Sequence, residues 1–381
     1  MTYSPGQIRA LFPICERSVY LNNAGVAPTS TLVKEAANIW IDDLVQHGIH
    51  SDSEWEAKSE QVRVQSASLI GASSTEITFI RNTSHGLALV AEGLHWNPGD
   101  EIAVCTELEY PSNIYVWENL SRLGVDISPI QAPSGGVTRE NVASALTSNT
   151  KLVALSAVQY ATGFRSDLAG IGDLCRERGI LLCVDGIQMV GSAPLDVKSL
   201  GIHFLAADSH KWMLGLSGIG LLFVDEAVIS QVRPALVGWK STEDAFNFDR
   251  AHFVLRKDAA KFEEGSPNYI GIYGMGAAIS LLLKFGLRQV EEHLSTLLGS
   301  LEEELVTLGC ATSPPSALRG GLLFFTPPRG EAAALYDHLS EHKIRTSLRR
   351  GQIRVSPHIY TNQQDLTALV EQVKNFLGAL P

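Results

Sequence analysis

The sequence predicts an α/β protein with a large domain, built on a mostly parallel seven-stranded sheet, and a small α+β domain at the C-terminal end. Short apolar runs alternate with helical patterns between residues 77 and 224, which is typical of crossover units on a parallel sheet. A long helical pattern over 288–309 ends at a glycine and leads into a second, shorter group of strand patterns. The 381 residues are enough for two or three domains of about 150 residues each.

The large domain is predicted to begin with two helices and to continue with strands that alternate with helices. Candidate helices cover residues 31–46, 54–70, 84–93, 113–123 and 168–179. Candidate strands cover residues 77–81, 101–105, 125–129, 152–158, 180–185, 204–209 and 218–224. Only a short glycine-rich stretch separates the last two strands, so we expect these two to be antiparallel.

The small domain is predicted from the residues that follow the connecting helix. Its expected elements are an apolar strand over 321–327, paired strands over 343–347 and 352–355, and a final helix over 363–377 capped by Asn362. We assign residues 16–287 to the large domain, and residues 1–15 together with 288–381 to the small domain.

The composition indicates a globular protein large enough to enclose a cofactor. Apolar residues make up 45% of the chain and charged residues 19%, so a substantial core can form. The formal net charge is −11, the opposite of what binding to a nucleic-acid backbone requires. The first ten residues lack the pattern of a signal peptide, and no apolar run approaches the roughly 18 residues of a membrane helix. We therefore expect a cytoplasmic protein without nucleic-acid or membrane partners.

Several common site patterns are missing from the chain. The five cysteines are odd in number, are scattered and form no C-x-x-C pair, which argues against a disulfide framework or a structural zinc site. No metal site is therefore expected. The chain lacks G-x-x-x-x-G-K-[ST], and its glycine cluster over 215–220 has reversed spacing and precedes a strand. Walker-type and dinucleotide binding are therefore both disfavoured.

A candidate phosphate site lies in the segment over 81–86, where a strand pattern ends and a helical pattern begins. Free backbone N–H groups, the helix dipole and the hydroxyls of Thr83 and Ser84 would converge there, which suits a dianionic phosphate. The alternative is that Thr83 or Ser84 only caps the helix.

Two further candidates follow neighbouring strands. Asp185 ends an apolar strand, at the sheet edge where ligands bind in such folds, although an aspartate there is often only a turn former. A buried carboxylate would need a cationic partner such as a protonated ring nitrogen. His210 and Lys211 follow the next strand; a lysine in an apolar context is suited to form a Schiff base, unless it extends to solvent. His210 could bind a phosphate or be an ordinary half-buried histidine.

Together these segments match the requirements of pyridoxal phosphate, which needs an anchored phosphate, a protonated pyridinium nitrogen and an amine that holds its aldehyde. The chain resembles the fold-type I pyridoxal-phosphate enzymes, specifically the class V aminotransferase and cysteine desulfurase group. The resemblance extends from the motif over 20–25 to the motif over 354–360. It implies that the large and small domains are those of the fold-type I transferase fold.

The resemblance implies a role for each candidate residue. Lys211 would bind the cofactor covalently and then move the Cα proton, Asp185 would pair with the pyridinium N–H, and Gln188 would bind the phenolic oxygen. The expected cofactor-binding residues are Thr83, Ser84, Tyr110, Gln159, Asp185, Gln188, Ser209, His210, Lys211 and Ser266. Tyr110 would stack on the cofactor, although a core tyrosine is the alternative.

The resemblance also implies a substrate site and a second subunit. Arg354 is expected to clamp the α-carboxylate of an amino acid, with Asn23 and Arg345 as further substrate contacts. Arg349 and Arg350 are interpreted as charges on a solvated turn. Ser266 lies in a segment that, in homodimers of this group, crosses to the neighbouring subunit, so a homodimer with shared active sites is expected.

The resemblance leaves the reaction open. Desulfurases of this group carry a nucleophilic cysteine between the positions of Arg345 and Arg354, and this chain has none there; a persulfide-forming desulfurase is therefore disfavoured. The chain looks more like the branch that contains isopenicillin N epimerase-like proteins and cystine carbon-sulfur lyases. We expect carbon-sulfur β-elimination on a small amino acid, with transamination and then racemisation or epimerisation as alternatives. A scaffold without activity and a nicotinamide-dependent dehydrogenase are the remaining classes.

Overall fold

The computed structural model describes residues 4–249 and 253–379. The helices are α1 (Pro5–Ala10), α2 (Thr31–His47), α3 (Asp52–Ile70), α4 (Thr83–Gly93), α5 (Ser112–Glu118), α6 (Arg139–Ala145), α7 (Leu168–Arg178), α8 (Tyr269–Phe285), α9 (Leu287–Thr307), α10 (Ala332–Glu341) and α11 (Gln363–Ala379). The strands are β1 (Val19–Tyr20), β2 (Ile77–Ile80), β3 (Glu101–Val104), β4 (Asp126–Pro129), β5 (Thr150–Ser156), β6 (Leu181–Asp185), β7 (Phe204–Asp208), β8 (Gly220–Val224), β9 (Ala311–Ser313), β10 (Leu323–Thr326), β11 (Ile344–Arg345), β12 (Ser347–Arg349) and β13 (Gln352–Val355).

The main sheet has seven strands in the order β2-β8-β7-β6-β5-β3-β4. Strand β8 is antiparallel to both of its neighbours, whereas β7, β6, β5, β3 and β4 are parallel to one another. This confirms the predicted α/β class and the antiparallel pairing of the last two strands. The central strands read as continuous apolar runs because helices cover both faces. On β6, for example, Leu182 and Val184 enter one apolar cluster and Cys183 enters another.

The small sheet has four antiparallel strands in the order β12-β13-β10-β9. Its apolar face shares a core cluster with α9, α10 and α11. The single strand predicted over 343–347 is wrong. Residues Ile344–Arg345 instead form β11 and pair in parallel with β1, while β12 pairs with β13. The predicted strand is divided in two because β1, near the N-terminus, pairs with its first part and β13 pairs with the strand that follows.

The helices show further departures from the prediction. The helix expected over 113–123 ends at Glu118, because the segment Asn119–Leu123 is a 3₁₀ helix, and Asn113 within α5 has non-helical dihedral angles. Helices α1, α6, α8 and α10 were not predicted. Within residues 4–249 and 253–379, no single helix is long and apolar enough to cross a membrane; α8 and α9 pass such a test only as a pair, bent by 77°.

Candidate active site

The predicted site residues converge at the edge of the main sheet where β5, β6 and β7 end. A cavity of about 350 Å³ lies there, between this edge, the start of α4 and the hairpin formed by β12 and β13. The predicted residues that line it are Thr83, Ser84, Tyr110, Asp185, Gln188, His210, Lys211 and Arg354. Residues far apart in the sequence therefore share one site, at the edge where parallel sheets bind ligands.

Lys211 lies in the connection between β7 and β8. This connection is closed at its base, where the Ser209 N–H donates to the Ile219 carbonyl over 2.9 Å, next to the Asp208–Gly220 strand pair. Burial lowers the pKa of Lys211 to about 8; the charge of Asp185 opposes this shift, and that of Arg354 adds to it. A lysine with a lowered pKa presents more of the neutral amine that attacks an aldehyde.

Tyr110 lies in the cavity wall and not in the core. The side chain is 50% exposed, and its ring centre is 5.9 Å from Nζ of Lys211. Its ring also makes an edge contact with Tyr160 at 5.1 Å between ring centres. An exposed ring beside the lysine fits the expected stacking position better than the core alternative does.

Asp185 ends β6 and is almost fully buried. Its Oδ1 accepts a hydrogen bond of 3.0 Å from the Ile187 N–H. Burial raises the pKa of this carboxyl to about 7, and the nearby charge of Glu109 adds to the rise. Among the residues that the structure describes, no basic side chain forms an ion pair with Asp185. A protonated ring nitrogen would supply the missing partner.

Gln188 is held at both ends of its amide. Its Oε1 accepts from Nε1 of Trp212 at 2.8 Å, and its Nε2 donates to the Ala24 carbonyl at 3.1 Å. The amide group can still donate one further hydrogen bond, because an NH₂ group has two hydrogens. Its orientation is therefore set before any ligand binds.

The start of α4 forms the polar end of the cavity. The helix is capped by Asn82, whose Oδ1 accepts from the His85 N–H at 2.9 Å, so neither Thr83 nor Ser84 is the cap. Ser84 instead donates from Oγ to Oγ of Ser112 at 2.6 Å, and Thr83 accepts at Oγ1 from the N–H of Asp208 at 3.1 Å. The hydroxyls are thus placed beside the positive end of the helix dipole.

His210 completes this end of the cavity. Its Nδ1 lies 3.0 Å from Oδ1 of Asp208, and both residues line the cavity. The Asp208 carboxylate therefore lies beside the imidazole. Asp208 was not predicted as a site residue.

Arg354 lies on β13 and is buried. Its Nε donates to Oγ of Ser347 at 3.0 Å and its Nη1 donates to the Tyr160 carbonyl at 3.2 Å. Burial lowers the pKa of Arg354 to about 10, and the charge of Arg349 adds to the effect. No carboxylate of residues 4–249 or 253–379 forms an ion pair with it. A buried cation without a counter-ion is suited to bind an anion.

Five predicted site residues do not line this cavity: Asn23, Gln159, Ser209, Ser266 and Arg345. Asn23, Gln159 and Ser209 are buried, and each makes one side-chain hydrogen bond, while Nδ2 of Asn23 and Oε1 of Gln159 have no partner among the described residues. Gln159 donates from Nε2 to Glu109, Ser209 donates from Oγ to the Leu216 carbonyl, and Asn23 accepts from the Tyr360 hydroxyl.

Ser266 and Arg345 each belong to a different cavity. Ser266 lies beside Arg81 and His85. Arg345 is exposed on β11, beside Tyr20, and donates to the carbonyl and hydroxyl of Ser340. The structure therefore does not bring Arg345 into the cavity that contains Lys211. The pairing of β11 with β1 directs this arginine to another surface.

Sequence reasoning missed several residues that the structure brings to the site. The cavity is also lined by Asn82, Ser112, Tyr160, Asp208 and Arg349. Arg349 was interpreted as part of a solvated turn, but it is the last residue of β12 and faces the cavity. The spacing of Ser347 and Arg349 was the available signal, since residues two apart on a strand share a face.

None of the five cysteines lines the cavity. Cys105, Cys175, Cys183 and Cys310 are buried, and Cys15 is half-buried. Burial raises the pKa of every one of these thiols. A thiol with a raised pKa is a poor nucleophile at neutral pH.

The groups in the cavity fit pyridoxal phosphate. The lysine amine, the unpaired buried carboxylate of Asp185 and the hydroxyls at the start of α4 are the three kinds of group that this cofactor requires. Arg354 adds a cation for a substrate carboxylate.

An aminotransferase, a cysteine desulfurase and a cystine C-S lyase resemble the chain over nearly its whole length. The sequence is 27% identical over 375 residues to "Uncharacterized aminotransferase YcbU" of Bacillus subtilis, covering 98% of each chain. The fold is similar to that of an apo cysteine desulfurase from Thermococcus onnurineus, with a TM-score of 0.90, 25% identity and full coverage of both chains. It is also similar to a cystine C-S lyase in complex with its reaction product cysteine persulfide, with a TM-score of 0.88 and 25% identity over 95% of this chain and 98% of that one.

The sequence model of the family described as "Aminotransferase class-V" matches residues 19–369. The match includes every residue that lines the cavity. The protein therefore belongs to the class-V aminotransferase family, and it is a pyridoxal-phosphate-dependent enzyme of fold type I.

Proposed function

We propose that this enzyme cleaves the bond between Cβ and sulfur of a small sulfur-containing amino acid, by β-elimination that needs no protein thiol. The observation that carries the proposal is the cavity itself: it joins the Lys211 amine to the unpaired Arg354 guanidinium and contains no cysteine among its lining residues. The likeness to a cystine C-S lyase is consistent with this reaction.

Each side chain has a defined task in this proposal. When bound, pyridoxal phosphate withdraws electrons from Cα and so makes the Cα proton acidic. Arg354 binds the α-carboxylate and orients the Cα–H bond towards Lys211. The lysine amine takes that proton, and Asp185 stabilises the positive charge on the ring nitrogen.

The products follow from the balance of the reaction. Loss of the Cα proton supplies the electron pair that expels the β-sulfur group, which leaves as a thiol or, from a disulfide, as a persulfide. The three-carbon remainder takes up water and leaves as pyruvate and ammonia. No external oxidant or reductant is required.

The test is a product assay on the purified holoenzyme with cysteine, with cystine and with a panel of other amino acids. We expect pyruvate and a sulfur product in equal amounts. Lys211→Ala should remove the activity and the visible absorbance of the bound cofactor, while the exposed Lys257→Ala should leave both unchanged. Absence of pyruvate from every sulfur amino acid would overturn the proposal.

Transamination is the second candidate, because a relative over the whole chain is described as an aminotransferase. It would convert the amino acid to a keto acid that keeps the substrate side chain, and its amino group would pass to a second keto acid. A keto acid without sulfide or persulfide, formed in an amount that matches the amino group transferred, would identify this reaction. Return of the proton to Cα with inverted configuration would instead identify racemisation or epimerisation.

We also propose that the active enzyme is a homodimer, in which Ser266 contributes its hydroxyl to the partner's phosphate site. In a single chain this hydroxyl lies in the cavity beside Arg81 and His85 and not in the one that contains Lys211. Molar mass in solution tests the dimer. A Ser266→Ala dimer with unchanged cofactor affinity would contradict the role of the hydroxyl.

A further inference from the structure

The hairpin of β12 and β13 holds two arginines on one face. Its register pairs Ser347 with Arg354 and Arg349 with Gln352. The two-residue turn between the strands consists of Arg350 and Gly351, with φ angles of 47° and 75°, which is the geometry of a tight hairpin turn. The position of Arg349 is therefore set by strand pairing and not by a mobile loop.

Arg349 and Arg354 are diagonal neighbours on this hairpin. Arg354 is directly opposite Ser347 and donates to its Oγ at 3.0 Å, and Arg349 lies two residues beyond Ser347. Residues two apart on a strand share a face, and diagonal pairs across an antiparallel ladder are about 7–8 Å apart. Both arginines accordingly line the cavity that contains Lys211.

Neither arginine forms an ion pair with a carboxylate within residues 4–249 and 253–379. Nη1 of Arg349 donates only to the carbonyl of its own neighbour Leu348, at 2.8 Å. The charge of Arg349 helps to lower the pKa values of both Arg354 and Lys211. Arg354 is buried whereas Arg349 is exposed, and an anion bound between them would offset the repulsion of their charges. The α-carboxylate of a substrate supplies one negative charge, so one positive charge remains.

We propose that Arg349 binds a second carboxylate, carried by the substrate side chain, so that the enzyme prefers dicarboxylic amino acids to neutral ones of similar size. This inference rests on the proposed function in one respect, the binding of the α-carboxylate by Arg354. For an elimination, the preferred substrates are sulfur amino acids whose leaving group ends in a carboxylate. For a transamination, they are amino acids of the aspartate and glutamate type.

The cavity offers Arg349 no competing partner among its acidic residues. Asp185 lies at the end of β6, and Asp208 is beside His210, with Oδ1 3.0 Å from Nδ1. Arg350, the adjacent cation, is directed away from the cavity and donates to the carbonyl of Glu107. The two adjacent arginines therefore form a matched pair for an experiment, with one in the cavity and one outside it.

The experiment compares binding of succinate and glutarate with binding of propionate and butyrate, measured by calorimetry on the holoenzyme. We expect the native enzyme and Arg350→Gln to bind the dicarboxylates at least about tenfold more tightly than the monocarboxylates, since a charged hydrogen bond is worth about that factor or more. Arg349→Gln should reduce the ratio to near one. A ratio near one in the native enzyme, or a ratio that Arg349→Gln leaves unchanged, would overturn the inference.

A kinetic comparison separates this inference from the proposed reaction. The value of kcat/KM for cystine, relative to that for S-methylcysteine, should fall at least about tenfold in Arg349→Gln and not in Arg350→Gln. If no sulfur amino acid is cleaved but dicarboxylate binding depends on Arg349, the elimination proposal fails and the second carboxylate site stands. If sulfur amino acids are cleaved but Arg349→Gln leaves the preference for cystine over S-methylcysteine unchanged, the elimination proposal stands and the second carboxylate site fails.

Discussion

Nε2 of Gln159 donates a hydrogen bond of 2.7 Å to Oε1 of Glu109, and both side chains are buried next to the end of β6. The Glu109 carboxylate also accepts from Asn113 and from both the backbone and the hydroxyl of Ser156. Ser156 is the residue paired with Asp185 across β5 and β6. Burial raises the pKa of Glu109, which has four neutral donors and no cation among its hydrogen-bond partners. Its charge therefore acts on Asp185.

Glu109→Gln is expected to shift the pH dependence of cofactor affinity. Such a shift would identify Glu109 as a positioning residue that acts through Asp185. The charge of Glu109 helps to raise the pKa of Asp185 to about 7, so its removal should lower that pKa. Cofactor affinity should increase with pH as Asp185 ionises, and its midpoint should move to lower pH in Glu109→Gln. Fluorescence titration with pyridoxal phosphate from pH 5 to 9 measures this. The exposed Glu107→Gln is the control, and equal midpoints in both variants would contradict the prediction.

Asp185→Asn is expected to make the apoprotein more stable at high pH relative to the native chain. The pKa of Asp185 in the folded state is about 7, above the ordinary value of 3.8. The stability associated with the protonated carboxyl is therefore complete below about pH 4 and is lost as the pH rises through 7. Asparagine does not titrate, so the difference in unfolding free energy between the two proteins should change by about 4 kcal/mol from pH 4 to 8. Urea unfolding measures it; a difference that is flat with pH would refute the assignment.

The rate at which apoenzyme captures pyridoxal phosphate should rise with pH around a midpoint near 8. The neutral amine of Lys211 is the reactive form, and the pKa of Lys211 is lowered to about 8, chiefly by burial. Arg354→Met removes a positive charge that lowers this pKa, so its midpoint should lie at higher pH. Stopped-flow absorbance provides the rates, with Arg350→Met as the matched loss of a charge outside the cavity. If the native enzyme, Arg354→Met and Arg350→Met share one midpoint, the charge of Arg354 does not influence the pKa of Lys211.

Arg354→Lys should weaken substrate binding without unfolding the protein. Lysine keeps the positive charge but cannot bind a carboxylate with two parallel N–H groups. The loss is expected to be about 1.5 to 3 kcal/mol, or roughly tenfold to a hundredfold in KM. Arg345→Lys should leave KM unchanged, since Arg345 lies in a separate cavity. Steady-state kinetics on both variants distinguishes the two arginines, and a larger effect at Arg345 would reverse their roles.

Arg63→Met should destabilise the protein through a buried ion pair. Arg63 and Glu263 are only 5% and 8% exposed, with 2.7 Å between Nη1 and Oε1. Without the arginine, the carboxylate of Glu263 would be left buried and unpaired, at a cost of about 3 to 5 kcal/mol in unfolding free energy. Arg176→Met breaks an exposed pair with Asp173 and should cost less than about 1 kcal/mol. Denaturant unfolding of both variants tests the difference; similar losses would show that burial does not set the cost.

The sequence was most informative where structure depends on local pattern. The central strands were predicted because each is a short apolar run that ends at a turn, and Asp185 and Lys211 were predicted because they follow such runs. The pairing of Val19 with Ile344 could not be read in this way, since no local pattern encodes a partner more than 300 residues away. For the same reason, Arg345 was placed in the cavity and Arg349 outside it. A shift of one residue in the pairing register moves every side chain of a strand to the opposite face of the sheet.

The antiparallel pairing of β8 with β7 fixes the backbone of Lys211 before the cofactor binds. Strand β7 leads into the connection that contains Lys211, and β8 pairs back along β7, so both ends of this connection are attached to the sheet. The backbone of the lysine is therefore ordered when the protein folds. An amine held in this way meets a bound aldehyde at an effective concentration far above that of free lysine in solution. The entropy of positioning the amine is lost once, during folding, and not at each encounter with the cofactor.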